Sequence, residues 1–285
     1  MSKVKERASV LGQRELCPGV FDLRLLAPQI AAAARPGQFV NVFLNNESHI
    51  LPRPISLCNI DRENGVLRLV YRVTKEGSGT EELSRYPAGT ELMLLGPLGN
   101  SFPTELSDVA VVGGVAHFGC GQALDGLAVD NRGGLEGVGG GIGIPPLLEL
   151  LWALPGKKTA LLGYRSKGQL FLLEDFAVAA DEVKIATEDG SAGIRGNVVD
   201  LLRALPEKPK AILSCGPLPM LRALKAYAAE EGIPLWVSME ERMACGIGAC
   251  LGCITESAEV DAHSNVKNKR VCADGPVFRA EEVVL

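Results

Sequence analysis

Two hydrophobic periodicities divide the chain. From residue 6 to about 98, short apolar runs such as Val20-Phe21-Asp22-Leu23-Arg24-Leu25 and Val66-Leu67-Arg68-Leu69-Val70-Tyr71-Arg72-Val73 alternate with period two and are broken by Gly, Pro and Asn clusters. Alternation with frequent turn signals predicts antiparallel strands with one buried face, here a small β-barrel. The dense turn signal Gly96-Pro97-Leu98-Gly99-Asn100 precedes a change of pattern and places a first boundary near residue 103.

Beyond it the apolar runs become continuous, at 109–112, 159–163, 183–186 and 211–214, as suits parallel strands covered on both faces. Helical spacing falls between several of them, at 145–153, 198–205 and 218–231, the last with Leu221, Leu224, Tyr227 and Ala228 on one face. Strands alternating with helices predict a doubly wound α/β unit. From about Val237 the chain is loop-rich and built around cysteines, with Asp274-Gly275-Pro276 as a last turn before a short tail. The expected division is therefore a multi-domain one: 1–103, antiparallel barrel; 104–236, α/β doubly wound; and 237–285, a small module. The last is too short for an independent core, so ligation would help hold it.

Composition narrows the partners. A net charge of −5, with no Lys or Arg run interleaved with aromatics, argues against nucleic acid. Residues 1–16 are charged and lack a continuous apolar segment, and the longest apolar stretch, 145–154, contains Glu149 and is too short to span a bilayer. A soluble, cytoplasmic protein without a membrane partner is expected. Of eight cysteines, Cys17, Cys58, Cys120 and Cys215 are scattered without a disulfide-like framework, which fits a reducing compartment.

The other four, Cys245, Cys250, Cys253 and Cys272, are spaced C-x4-C-x2-C…C, the plant-type pattern for a [2Fe-2S] cluster. Between the first two, every residue but Ile247 is Gly or Ala, so the backbone is free to wrap closely and aim N–H groups at the sulfides. Zinc knuckles usually bring two short pairs, whereas here a tight triplet precedes one distant cysteine; structural zinc and unligated thiols stand as the alternatives.

In the barrel region Arg53-Pro54-Ile55-Ser56 sets a guanidinium three residues before a hydroxyl at the end of a strand. Arg clamps phosphate bidentately, and Ser56 suits a flavin ring edge or a phosphate; the competing reading is a surface arginine in a Pro-containing turn. Val70-Tyr71-Arg72 ends the next strand, and Gly77-Ser78-Gly79-Thr80 opens a predicted helix over 80–85 whose N-terminus, with small residues, is an anion seat. No nucleophile–base pair is found, and His49, His117 and His263 lie in no motif, so no catalytic side chain is expected.

The barrel motifs resemble the FAD-binding half of the ferredoxin–NADP reductase superfamily. The chain as a whole resembles the electron transfer subunits of class B dihydroorotate dehydrogenase. Three stretches carry that resemblance: Leu51-Pro52-Arg53-Pro54-Ile55-Ser56; Gly141-Ile142-Gly143-Ile144-Pro145-Pro146-Leu147-Leu148-Glu149; and 240–253 together with 270–278. It covers nearly the whole chain. What it implies is FAD on Arg53, Pro54, Ile55, Ser56, Val70, Tyr71, Arg72, Gly79 and Thr80, a [2Fe-2S] cluster on Cys245, Cys250, Cys253 and Cys272, and NAD as electron acceptor. It also implies a partner, the FMN-containing catalytic subunit that oxidises dihydroorotate to orotate in pyrimidine (UMP) biosynthesis, in a heterotetramer of two plus two subunits. Cys215-Gly216-Pro217 resembles the superfamily's nicotinamide-side turn, with a buried structural cysteine as the alternative. The competing functions are a related NAD(P)H reductase subunit serving a hydrogenase, ferredoxin or other acceptor, and a zinc-stabilised binding protein.

The chain departs from the family pattern at one place. That pattern runs the strand 108–112 directly into Gly-Gly-Gly-Ile-Gly-Ile-Pro-Pro; here residues 115–140 intervene, or equally 113–138, because Val112-Gly113-Gly114 and Val138-Gly139-Gly140 repeat. The stretch loops out, caps the dinucleotide site, or reflects a sequence error. Gly139, Gly140, Gly141 and Gly143 are expected to form the turn regardless, with the inserted stretch poorly ordered and Cys120 incidental. Closing such an excursion costs roughly 3 kcal/mol, so the departure is expected to act on NAD binding more than on folding.

Overall fold

The computed structural model describes residues 3–115, 142–260 and 265–285. Strands β1 (Val4–Cys17), β2 (Val20–Leu26), β3 (Phe39–Phe43), β4 (Arg53–Asp61), β5 (Val66–Arg72) and β6 (Glu91–Leu98) close an antiparallel barrel in the order β1-β2-β5-β4-β3-β6. The period-two apolar positions point inward: Leu23, Leu25, Leu67, Leu69, Leu92 and Leu94 are buried together in its interior. Helix α1 (Pro28–Ala33) has no cap from its own residues. Buried Glu6 of β1 supplies one, accepting from the N–H groups of Gln29 and Ile30 at 3.0 and 2.9 Å. Helix α2 (Gly79–Leu83) starts and stops earlier than its sequence expectation.

A seven-stranded sheet follows. It comprises β7 (Val109–Gly114), β8 (Lys158–Tyr164), β9 (Glu182–Thr187), β10 (Ile194–Arg195), β11 (Ala211–Cys215), β12 (Leu235–Ser238) and, beyond the two-stranded ribbon of β13 (Ile254–Glu256) and β14 (Asn268–Arg270), β15 (Val277–Arg279). Helices α3 (Pro146–Ala153), α4 (Leu173–Ala179), α5 (Val198–Arg203) and α6 (Leu218–Glu231) connect the strands. The order β10-β9-β8-β7-β11-β12-β15 means that the chain winds outward from β7, then returns to lay β11 on its other side. The winding therefore reverses between β7 and β11, and in open α/β sheets such a switch point opens a crevice at the strands' carboxyl ends.

The four apolar runs of the sequence lie in β7, β8, β9 and β11, and the three helical ones in α3, α5 and α6. One turn reading and one tail reading are corrected. Gly96-Pro97-Leu98 belongs to β6: Phe39 pairs with Leu98 and Asn41 with Leu95, so Pro97, which has no N–H to give, sits where the ladder shifts register. The tail after Pro276 is β15, antiparallel to β12 through Val237 and Phe278, so the cysteine-rich segment shares the core of the sheet, with Cys253, Val271, Cys272 and Phe278 buried alongside Val112 and Val237. Among the described residues no helix is long and apolar enough to cross a membrane.

Candidate functional site

Strands β4 and β5 pair only from Leu57 and Leu69 onward. Above that point Arg53 to Ser56 pair with β3 alone, Ser56 opposite Phe39, while Val70 to Arg72 pair with β2 alone, Arg72 opposite Val20. The strands thus splay where the two sequence motifs sit, and Pro54 is tolerated because no ladder bond to β5 is asked of it. The gap is a cavity of about 550 Å³, lined by Arg53, Pro54, Ile55, Ser56, Val70, Tyr71, Arg72, Gly79 and Thr80. All nine expected flavin-side residues converge there.

Their roles differ. Gly79 accommodates Arg53: a Cβ at residue 79 would lie 2.4 Å from Arg53 Nε. That Nε is buried without a hydrogen-bond partner among the described residues. A buried cationic donor is costly to leave unmatched, and its position fits an anionic group in the cavity. Thr80 Oγ1 accepts from the Thr74 N–H at 3.3 Å and meets Ser78 Oγ, the side chain that caps α2. Tyr71 has its hydroxyl committed to Gln13 Oε1 at 2.6 Å and its ring stacked on Phe21, so its task is to shape the wall.

The far wall comes from Ile142 and Pro146 of the α/β unit and from Ser238, the last residue of β12, through Met243. Sequence reading took 240–243 only as part of a family stretch and named no site residue there, and Glu240 is its most consequential member. Glu240 lines the cavity and is exposed by surface area, and the atoms packed around its carboxyl cost it part of its hydration. That lost hydration raises its pKa to about 7, against the pull of Arg72. Loss of hydration in turn lowers Arg72, opposed by Cys17 and Glu240. Arg72 was named from its strand motif, but nothing in the chain pointed to Glu240, two residues beyond β12, as the group it faces.

At the switch point, the expected nicotinamide-side residues meet. Val115 bridges Ile142 in antiparallel fashion, and the Gly143 N–H donates to the Gly114 carbonyl at 3.0 Å. A Cβ at residue 143 would fall 2.2 Å from the Cys215 carbonyl oxygen and 2.4 Å from Gly216 Cα, so only glycine lets the turn lie against the end of β11. Cys215 is fully buried, and burial, then the nearby Glu240, pushes its thiol well above the ordinary value. Gly139, Gly140, Gly141, Cys120 and the expected disorder of the inserted stretch lie outside the described residues, as do His117 and His263. His49 faces Glu82 at 3.3 Å.

The four motif cysteines gather just beyond the cavity, Cys245 being two residues past Met243. They associate two and two. Cys245 Sγ accepts from the Ile247 and Cys250 N–H groups at 3.5 and 3.4 Å, and Cys253 Sγ from the Cys272 N–H at 3.4 Å. Among the described residues no three His, Cys, Asp or Glu side chains are disposed around one metal ion. Burial would raise the Cys245 pKa, but the N–H groups of Ile247 and Cys250 outweigh it and bring it to about 6; burial, then the Cys253 thiol, raises Cys272. Backbone N–H groups aimed at sulfur are what an anionic iron–sulfur centre requires, and the donor set fits one. Arg270 buttresses the loop, donating to Asp274 at 2.8 and 3.0 Å and to the Gly248 carbonyl at 3.3 Å. Cys253 and Cys272 are buried, Cys250 is exposed, and Ile247 and Leu251 stand exposed beside it.

Comparison with known proteins agrees with this layout. The model of the oxidoreductase FAD-binding domain matches residues 13–102, and that of the iron-sulfur cluster binding domain of dihydroorotate dehydrogenase B matches 240–284. A chain of the NADH-dependent reduced ferredoxin-NADP oxidoreductase structure superimposes with a TM-score of 0.78 at 29% identity, covering 97% of this chain and 89% of that one. A ferredoxin NADP+ reductase from Neisseria gonorrhoeae, 13% identical, shares the fold over 81% of this chain and 92% of its own, with a TM-score of 0.58. Among curated proteins, the dihydroorotate dehydrogenase B (NAD(+)) electron transfer subunit of Geobacillus kaustophilus (strain HTA426) is 39% identical over 99% of both chains. That of Enterococcus faecalis (strain ATCC 700802 / V583) is 38% identical over the whole of both. With its cavity, its paired thiols and this identity along its full length, the chain belongs to the family of dihydroorotate dehydrogenase B (NAD(+)) electron transfer subunits.

Proposed function

We propose that this protein is the electron-transfer subunit of an NAD-dependent dihydroorotate dehydrogenase, acting in the cytoplasm in de novo pyrimidine biosynthesis with an FMN-containing catalytic subunit as a two-plus-two heterotetramer. The observation that carries the reading is continuity. One segment, Ser238 to Met243, walls the cavity and runs into Cys245, so the flavin side and the cysteine loop are joined through six residues of backbone.

When bound, the [2Fe-2S] cluster would supply one-electron transfer from the partner, and FAD would supply the pairing of two such electrons with a proton for hydride transfer to NAD+. The protein's own residues hold and orient these groups. Arg53 meets the anionic part of FAD and Ser56 its ring edge or phosphate, with Pro54, Ile55, Val70, Tyr71, Arg72, Gly79 and Thr80 completing the wall. Cys245, Cys250, Cys253 and Cys272 ligate the cluster, and Arg270 fixes the loop that bears three of them. Gly143 with Cys215 and Gly216 receives the nicotinamide half of NAD, Gly139, Gly140 and Gly141 continuing the turn. On this reading 1–103 is the FAD unit, 104–236 the NAD unit and 237–285 the cluster module. Exposed Ile247 and Leu251 beside Cys250 suit an apolar partner surface.

Mixing the purified protein with the candidate catalytic subunit tests this. Dihydroorotate-dependent NAD+ reduction that needs both chains is expected. The resemblance to the NADH-dependent ferredoxin oxidoreductase favours a second reading, a subunit serving ferredoxin or another acceptor. Absence of dihydroorotate activity with both cofactors intact selects it.

A further inference from the structure

Glu149 was read in the sequence as the charge interrupting the apolar stretch 145–154 and as part of a family stretch, and no role in the cavity or the cysteine loop uses it. It sits in the first turn of α3, 4% exposed, among Leu147, Leu148, Leu150 and Leu151. Its carboxylate reaches out of the α/β unit into the barrel. Oε2 accepts from Asn59 Nδ2 at 3.0 Å and from the Ile60 N–H at 2.9 Å, and Oε1 accepts from Arg62 Nη1 at 2.9 Å. Arg62 is itself anchored through Nη2 to the Ala34 carbonyl at 2.9 Å. The barrel is shaped to receive it: a bulge at Cys58 shifts the β4–β5 register between Leu57 and Asn59.

A leucine in this apolar setting would bury as well, so packing does not explain a buried carboxylate with three donors. What the carboxylate adds is direction, because three bonds from β4 and its end admit one docking angle where apolar contact admits several. Both elements it joins lead to the cavity. On the α3 side Pro146 lies less than one helical turn away, directly after the Ile142-Gly143 turn; on the β4 side the strand runs straight from Asn59 back to Arg53–Ser56. A second tie lies beside it, since Arg68 is paired across the ladder with Asn59, but it shares no bond with Glu149. Arg68 of β5 bonds Asp22 at 2.9 Å and Asp175 of α4 at 2.5 Å, so the two units stay attached when the first tie is cut.

We propose that Glu149 is a positioning residue for hydride transfer, a strut that sets the nicotinamide-side turn against the flavin-side strand. The proposal rests on the functional reading above. Hydride transfer is steeply sensitive to donor–acceptor placement, an ångström being worth on the order of a hundredfold.

The test uses the holoprotein with wild type, Glu149→Gln and Glu149→Ala. The expected results are loss of hydrogen-exchange protection at the Ile60 amide, FAD and iron content as in wild type, and NADH-driven flavin bleaching slowed about tenfold to a hundredfold. Half-saturating NADH should shift less than about threefold, and the primary isotope effect with deuterated NADH should grow. Gln, which keeps an acceptor for Ile60, should fall between wild type and Ala and remains informative if Ala does not fold. Lost Ile60 protection with unchanged bleaching and isotope effect overturns the strut, as does a loss of FAD that accounts for the whole rate loss. Wild type that NADH does not bleach would instead remove the functional reading on which the strut depends.

Discussion

Asn41 Nδ2 donates to the Cys245 carbonyl over 3.0 Å, tying the buried centre of β3 to the first residue of the cysteine loop. The fit is close: Gly246 has φ +67°, and a Cβ there would stand 2.4 Å from Asn41 Nδ2. Asn41→Leu keeps the branch point and the number of heavy atoms and removes the donor, leaving the Cys245 carbonyl unmatched at a cost of about 1–3 kcal/mol. The expected outcome is cluster loss to a chelator faster by roughly fivefold to a hundredfold, followed as decay of the visible iron–sulfur absorbance, with FAD content unchanged. Equal loss of FAD and iron would mean that the bond stabilises the whole fold and has no special bearing on the loop.

Arg53 presents a buried, unmatched Nε to the cavity. Hydrogen bonds to charged groups contribute about 1.5–3 kcal/mol, so Arg53→Ala should raise the FAD dissociation constant roughly tenfold to a hundredfold. Arg53→Lys should recover only part, since an ammonium lacks the planar fork. Flavin titration of the apoprotein measures both, and the apoprotein's Tm should hardly fall, because Arg53 Nε has no hydrogen-bond partner among the described residues.

Glu240 gives a pH dependence. Its folded pKa of about 7 lies above the ordinary 4.5. The unfolded chain therefore releases this proton first as pH rises, so its contribution to stability is full below 4.5 and is lost as pH passes through 7. Glu240→Gln should remove that loss: its Tm relative to wild type should rise from pH 5 to pH 8. In the rate of NADH-driven flavin reduction, an inflection near pH 7 in wild type should flatten in the variant. A Tm difference independent of pH counts against the raised carboxyl.

Val115 and Ile142 lie opposite each other as an antiparallel bridge. Deleting 116–139 leaves Gly140-Gly141 between them, the two-residue length and composition of a tight hairpin. The shortened protein should fold with FAD and cluster bound and gain up to about 2 kcal/mol from the smaller loop. NADH affinity measured beside the full-length chain reports directly on whether the excursion obstructs the dinucleotide. Failure of the deletion to fold would show that the stretch is part of the core.

The sequence by itself determined what short-range physics records. Period-two and continuous apolar runs named the barrel and the main parallel strands, because burial on one face or both repeats every few residues; Leu23, Leu25, Val111 and Leu213 are buried as that pattern demands. The C-x4-C-x2-C spacing and Arg53-Pro54-Ile55-Ser56 were legible because ligation and clamping need those residue types at fixed local intervals. Tertiary structure alone decided where these pieces meet. The splay of β4 from β5 is a place where pairing stops, and no periodicity marks an absent hydrogen bond. Glu240 against Arg72, Asn41 under Cys245 and Glu149 between α3 and β4 join residues from 87 to 204 positions apart or across separate elements, and their meaning comes from the register and docking angle that bring them together.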